Sequence, residues 1–248
     1  MIKKIIAGNW KTNPNDPKTA KKLFTDLNKN LRKFKNSEVI IFPPPLFQSL
    51  FYGLKGSLVT GSQDNGLDSS GSFTGTLSPK HLKTLGAKYG IVGHSESRKR
   101  GESDELIARK IESLLSEGIT PILCVGESKR DNTGEFFKFI KNQLSIDLSL
   151  VPANKVSKVI VAYEPIWAIG SEAVREATLD EAREMSLFIK KTIKEVFESE
   201  KVSKVLYGGS VDEVNAKNFV EAKEIDGVLV GRASLDTKKF LKIIAYAG

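Results

Sequence analysis

At 248 residues, with 40% hydrophobic and 27% charged side chains, the chain can bury a large core and keep a wet surface, which excludes a disordered or low-complexity protein. One cysteine, Cys124, excludes an internal disulfide, and only two histidines, His81 and His94, well apart in sequence, argue against a zinc site. The net charge of +8 (38 basic less 30 acidic) would suit nucleic acid, a membrane surface or a small anion. Lysines such as Lys18, Lys21, Lys22, Lys29 and Lys33 are spread along a helical pattern without interleaved aromatics, which favours a solvated face over nucleic-acid binding.

The N-terminal run Ile5–Ala7, after two lysines, is too short for a signal peptide, and no stretch of about eighteen apolar residues occurs, so no membrane is involved and a cytoplasmic protein is expected. Further along, short apolar and often β-branched runs predict strands at Lys4–Ala7, Val39–Phe42, Leu58–Thr60, Tyr89–Val92, Ile119–Val125, Lys158–Tyr163, Lys204–Tyr207 and Gly227–Val230. Helical patterns lie between them, as at Lys18–Phe34, Ser103–Glu117, Glu135–Leu144, Leu179–Glu200 and Val214–Glu221. Strands buried on both faces read as continuous apolar runs, and strand-then-helix repetition gives parallel pairing with right-handed crossovers. Eight such units can close, whereas an open doubly wound sheet usually has fewer. A single α/β domain over residues 1–248, a (β/α)8 barrel, is the expected fold.

In such a barrel the residues just after each strand converge on one face. Here they are Asn9 and Lys11, Gln63 and Asp64, His94 and Glu96, Cys124 with Gly126 and Glu127, Glu164, Gly208 to Ser210, and Gly231 with Arg232. An imidazole, a lysine and carboxylates around glycine-rich turns make a plausible acid/base site with an anion cradle. Glu164 precedes Pro165, which holds it extended and removes a backbone donor, so the strand ends by presenting a carboxylate at the barrel mouth. The turns Tyr207–Ser210 and Val230–Ser234 each follow a strand and precede a helical segment, where backbone N–H groups can surround a dianion.

Several short strings carry a closer resemblance. Gly8-Asn9-Trp10-Lys11, Gly71-Ser72-Phe73-Thr74-Gly75, Gly93-His94-Ser95-Glu96, Cys124-Val125-Gly126-Glu127, Ala162 to Gly170 (AYEPIWAIG), Tyr207-Gly208-Gly209-Ser210-Val211 and Gly227 to Gly231 occur in the order found in triosephosphate isomerases. Together they make nearly the whole chain resemble that family. The resemblance implies a homodimeric TIM barrel without cofactor or metal, interconverting dihydroxyacetone phosphate and D-glyceraldehyde 3-phosphate. It makes Glu164 the base and His94 a neutral electrophile, in a family that is itself a standard example of such tuning and of lid closure. Lys11 and Asn9 would stabilise enediolate charge, Glu96 would hold Lys11, and Ser95 would bond Glu164 while the lid is open. Ser210 and Gly231, beside Arg232, would take the phosphate, with Gly170 joining when a lid built on Trp167 and Ile169 shuts. Cys124 and Glu127 would support the site.

The chain also departs from the family pattern. Gly170 is followed by Ser171 to Glu176 in place of a Gly-Thr-Gly-Lys lid, about two residues longer. Thr76 and Ser97 stand where the family has a Glu and an Arg that can pair across the subunit boundary, Arg232 replaces a glycine and Thr12 a methionine. Arg232 is also expected at the opening of the final helix, on the wrong end of its dipole for a cation. The alternatives are another phosphate-binding barrel isomerase, or a silent barrel that binds a partner.

Overall fold

A computed structural model describes residues 3–68, 71–72, 74–170 and 173–248; Phe73 of the expected dimer loop and Ser171 and Glu172 of the expected lid lie outside the described residues. The strands are β1 (Lys4–Asn9), β2 (Ser37–Phe42), β3 (Val59–Ser62), β4 (Tyr89–Val92), β5 (Thr120–Val125), β6 (Ile160–Tyr163), β7 (Val205–Tyr207) and β8 (Gly227–Val230). Each pairs in parallel with its sequence neighbour, and β8 returns to β1 with Ile5 opposite Gly227 and Gly8 opposite Val230, closing the barrel. The eight-stranded α/β barrel expected from the alternation of patterns is the architecture observed.

Strand side chains alternate between two cores, as the period of two requires. Ile5, Ala7, Ile40, Phe42, Ile122, Cys124, Ala162, Leu206 and Leu229 form one cluster filling the barrel. Their neighbours Ile6, Ile41, Leu123, Val125, Val161, Val205 and Val228 join the larger cluster against the helices. That double burial is why the strands read as unbroken apolar runs; truncating fully buried Ile40 to Ala would cost about 2–5 kcal/mol.

The helices start where the sequence supplies caps. In α1 (Pro17–Asn30) Asp16 accepts from the Thr19 N–H, with proline at the first helical position. Next come α2 (Pro79–Thr84), α3 (Ser95–Lys99) and α4 (Asp104–Ser116), the last capped by Ser103. They are followed by α5 (Glu135–Asp147), α6 (Ala153–Val156) and α7 (Leu179–Val196), where Thr178 and Glu181 form a capping box. The chain ends with α8 (Ala216–Glu221) and α9 (Thr237–Ala245), the latter capped by Asp236. Arg232 therefore does not open the final helix: residues 232–235 form a separate 3-10 turn, and the expected clash with a helix dipole does not arise. Beneath the end of β1, Phe51 stacks on Phe24 at 4.7 Å and meets Trp10 edge-on at 6.2 Å, which seats the turn that carries Lys11.

Candidate active site

Just past β1, Lys11 has φ 52°, a left-handed backbone of a kind that costs a non-glycine residue on the order of 1 kcal/mol. Three hydrogen bonds hold it there. The Lys11 N–H donates to Asn9 Oδ1 at 3.0 Å, while Gln63 Nε2 donates to the Lys11 carbonyl at 2.6 Å and to the Phe42 carbonyl at 2.8 Å. The bend turns the lysine side chain across the barrel mouth, where Nζ meets Glu96 Oε1 at 2.6 Å. Both partners are about half exposed, so the pair contributes little stability, on the order of 0–1 kcal/mol, and matters for position. Partial burial pushes the Glu96 carboxyl up, but the Lys11 bond and charge, with the charge of Arg100, outweigh it and hold the group below its usual range.

After β4 the chain turns at Gly93 and starts α3, whose first N–H groups are spent on the site. The Ser95 N–H donates to Glu164 Oε2 at 3.0 Å, and the Glu96 N–H donates to His94 Nδ1 at 3.2 Å. An Nδ1 that accepts a hydrogen bond cannot carry a proton, so the neutral ring bears it on Nε2. That atom lies 3.3 Å from Glu164 Oε1.

Glu164, only 3% exposed, continues the barrel ladder by donating its N–H to the Val125 carbonyl, and Pro165 then stops the strand. Glu164 fits because two neighbours lack side chains, Gly126 against its backbone and Gly208 against its carboxylate arm. A Cβ on Gly126 would lie 1.7 Å from the Glu164 carbonyl oxygen, and one on Gly208 would lie 3.0 Å from Glu164 Cγ. Beneath it, burial first and the Glu164 charge second push the Cys124 thiol well above its ordinary pKa, so it stays protonated and inert.

The segment after Glu164 is anchored at its root. Buried Glu127 Oε1 accepts from Trp167 Nε1 and from the Tyr163 hydroxyl, both at 2.8 Å. Across the rim, Ser210 Oγ donates to the Ala168 carbonyl at 3.1 Å, so this hydroxyl ties the β7 turn to that segment. A Cβ built on Gly231 would find Lys11 Cε nearest, at 4.0 Å, which sets the β8 turn beside the lysine. Gly170 and Arg232 are exposed, and the Arg232 guanidinium has no ion pair among the described residues.

The structure thus gathers Lys11, Glu96, His94, Ser95 and Glu164 into one linked group, with Asn9 holding the Lys11 backbone; Gly231 adjoins it and Ser210 meets the segment after Glu164. Gln63, Gly126 and Gly208 are among the residues to which the sequence gives no role; their positions after β3, β5 and β7 are visible there, but the contacts that give them work are not. Among the described residues, no group of three or more His, Cys, Asp and Glu could hold a metal, and no helix is long and apolar enough to cross a membrane.

Comparison with known proteins matches the triosephosphate isomerase family to residues 4–247. The triosephosphate isomerase of Aquifex aeolicus (strain VF5) is 42% identical over 250 residues, covering 98% of this chain and 99% of that protein. Those of Thermoanaerobacter pseudethanolicus and Buchnera aphidicola subsp. Cinara cedri are 38% and 40% identical, each with at least 98% of both chains covered.

Proposed function

We propose a division of labour within a chain that belongs to the triosephosphate isomerase family and interconverts dihydroxyacetone phosphate and D-glyceraldehyde 3-phosphate. Glu164 removes the carbon-bound proton and returns it to the neighbouring carbon of an enediolate. His94 donates from Nε2 to the substrate carbonyl and moves the oxygen-bound proton, while Lys11 and Asn9 stabilise the developing negative charge. Ser210, Gly231 and Gly170 bind the phosphate, Arg232 through its backbone. The carrying observation is the Glu96 N–H pointing into His94 Nδ1, because it leaves the ring's proton facing Glu164 across 3.3 Å. The bond from the Ser95 N–H to Glu164 fits a waiting position, from which the carboxylate turns to substrate as the lid closes and water is excluded. A coupled assay with each triose phosphate tests the assignment: activity in both directions that collapses in Glu164→Asp is expected, and full activity in that variant would overturn it.

The same reading makes the protein a cytoplasmic homodimer without cofactor or metal. The exposed stretch Thr74 to Thr76 and the nearly bare Leu46 suit burial by a second copy. With Thr76 and Ser97 unable to form an ion pair, sedimentation is expected to find a dimer at micromolar concentration that responds weakly to salt. A monomer under those conditions would refute it.

A further inference from the structure

At the base of the lid is a contact that the proposed chemistry does not use. The Arg175 guanidinium lies over the face of Trp167, its central carbon 4.5 Å from the ring centre. Its terminal nitrogens grip Glu181 in a fork, Nη2 to Oε1 at 2.6 Å and Nη1 to Oε2 at 2.9 Å. One residue earlier, the Val174 N–H donates to the Trp167 carbonyl at 2.8 Å, so the two arms of the lid are joined by backbone at the same level.

The partners of Arg175 belong to parts of the molecule with different duties. Trp167 is three residues from Glu164 and lies in the arm that follows it. Glu181 sits in the first turn of α7, where Oε2 also accepts from the Thr178 N–H at 2.8 Å and its hydroxyl at 3.1 Å. That capping box makes Glu181 a fixed post. Its carboxyl is held at about 2, the Arg175 bond being the largest cause, so the post stays charged over the working pH range. Arg175 therefore bridges the arm that follows Glu164 and the capped start of α7.

We propose that Arg175 is a positioning residue, a clasp that holds Trp167 against the cap of α7 while Glu164 is turned onto Ser95, and that must release the ring before the lid closes over a phosphorylated substrate. The inference rests on reading the segment after Glu164 as a lid that moves with it. Any displacement of Trp167 relative to α7 slides the ring from under the guanidinium, because the fork on Glu181 fixes where the guanidinium can be. A ligand that favours the closed state has to work against this contact, and its apparent affinity is lowered accordingly. Cation–π and ion-pair contacts at exposed sites are worth a factor of about two to five in an equilibrium.

The test is a titration with 2-phosphoglycolate, a phosphate monoester whose carboxylate stands in for the enediolate, followed by competitive inhibition and by tryptophan emission. The chain has only Trp10, fully buried, and Trp167, so a change on closure is readable. Arg175→Ala is expected to bind the probe roughly two- to fivefold tighter than the unmodified protein, with an unchanged melting curve. Arg175→Lys, which keeps a charge without the flat stacking face, is expected nearer to the Ala variant. Equal or weaker binding by Arg175→Ala, or an Arg175→Lys indistinguishable from the unmodified protein, would overturn the clasp. Failure of the unmodified protein's emission to respond at saturation would overturn instead the lid reading beneath it.

Discussion

The two sides of the barrel mouth are built from different material. On the proton-transfer side, Lys11, Glu96, His94, Ser95 and Glu164 are joined at 2.6 to 3.3 Å by contacts that each end on a side-chain atom of Glu96, His94 or Glu164. On the phosphate side, Gly170, Ser210 and Arg232 are exposed, and Gly231 presents only backbone. A proton can be moved only by an atom of the right type in the right place, whereas a dianion can be met by several N–H groups whose side chains are incidental. Substitutions should therefore hit the first side hard and the second softly.

Glu164→Asp is the severest test of that asymmetry. Withdrawing the carboxylate by one methylene from the level of His94 Nε2 should lower kcat by on the order of 100-fold or more, since catalysis depends on sub-ångström placement. An unchanged kcat would erase the contrast between the two sides. His94→Gln should follow at roughly 100-fold, with folding intact. In the unmodified protein, nitrogen NMR should find the neutral ring with Nδ1 bare and Nε2 protonated, as the Glu96 N–H requires. A ring protonated on Nδ1 would break the assignment.

A milder variant sharpens the comparison by pressing on the base without touching its chemistry. Gly208→Ala would put a methyl 3.0 Å from Glu164 Cγ and 3.3 Å from the Tyr163 carbonyl oxygen. Something must give by a few tenths of an ångström, and the carboxylate arm is the softer neighbour. The expected outcome is a kcat reduced by about tenfold with little change in KM. A loss confined to KM would mean that the β7 turn serves phosphate alone.

The barrel was legible in the sequence because burial of strands on both faces leaves runs such as Val39–Phe42, and Glu164 was legible because Pro165 marks where its strand must stop. Lys11 and His94 could be picked out as chemistry-bearing residues past strand ends. What the residues alone could not show was how partners far apart in sequence touch: Gln63 bracing Lys11 across 52 positions, or the backbone N–H of Ser95 making the bond to Glu164 that the family resemblance implied, across 69. Short elements were hidden for a different reason. In Pro45–Phe51 and α2, a proline at the first turn looks like a breaker, and too few residues follow to show a period.

The smallest effect is expected at Arg232, where the chain departs from its family inside the phosphate turn. Its side chain is exposed, pairs with no carboxylate among the described residues, and belongs to a four-residue 3-10 turn rather than to a helix end. Such a turn has little summed dipole, so a cation there is not opposed. The neighbouring Gly231, with Lys11 Cε 4.0 Å from where a Cβ would stand, has only backbone to offer a substrate beside the lysine. Arg232→Gly should therefore change KM for D-glyceraldehyde 3-phosphate by less than about threefold, with an equally small change in inhibition by inorganic phosphate. If the guanidinium did add a charge-assisted bond to the dianion, the variant's KM would instead rise about tenfold, and the difference would fade with added salt as screening weakened the contact. That salt-sensitive rise would remove the distinction between the two sides, since a specific side chain would then carry the phosphate as specific side chains carry the proton.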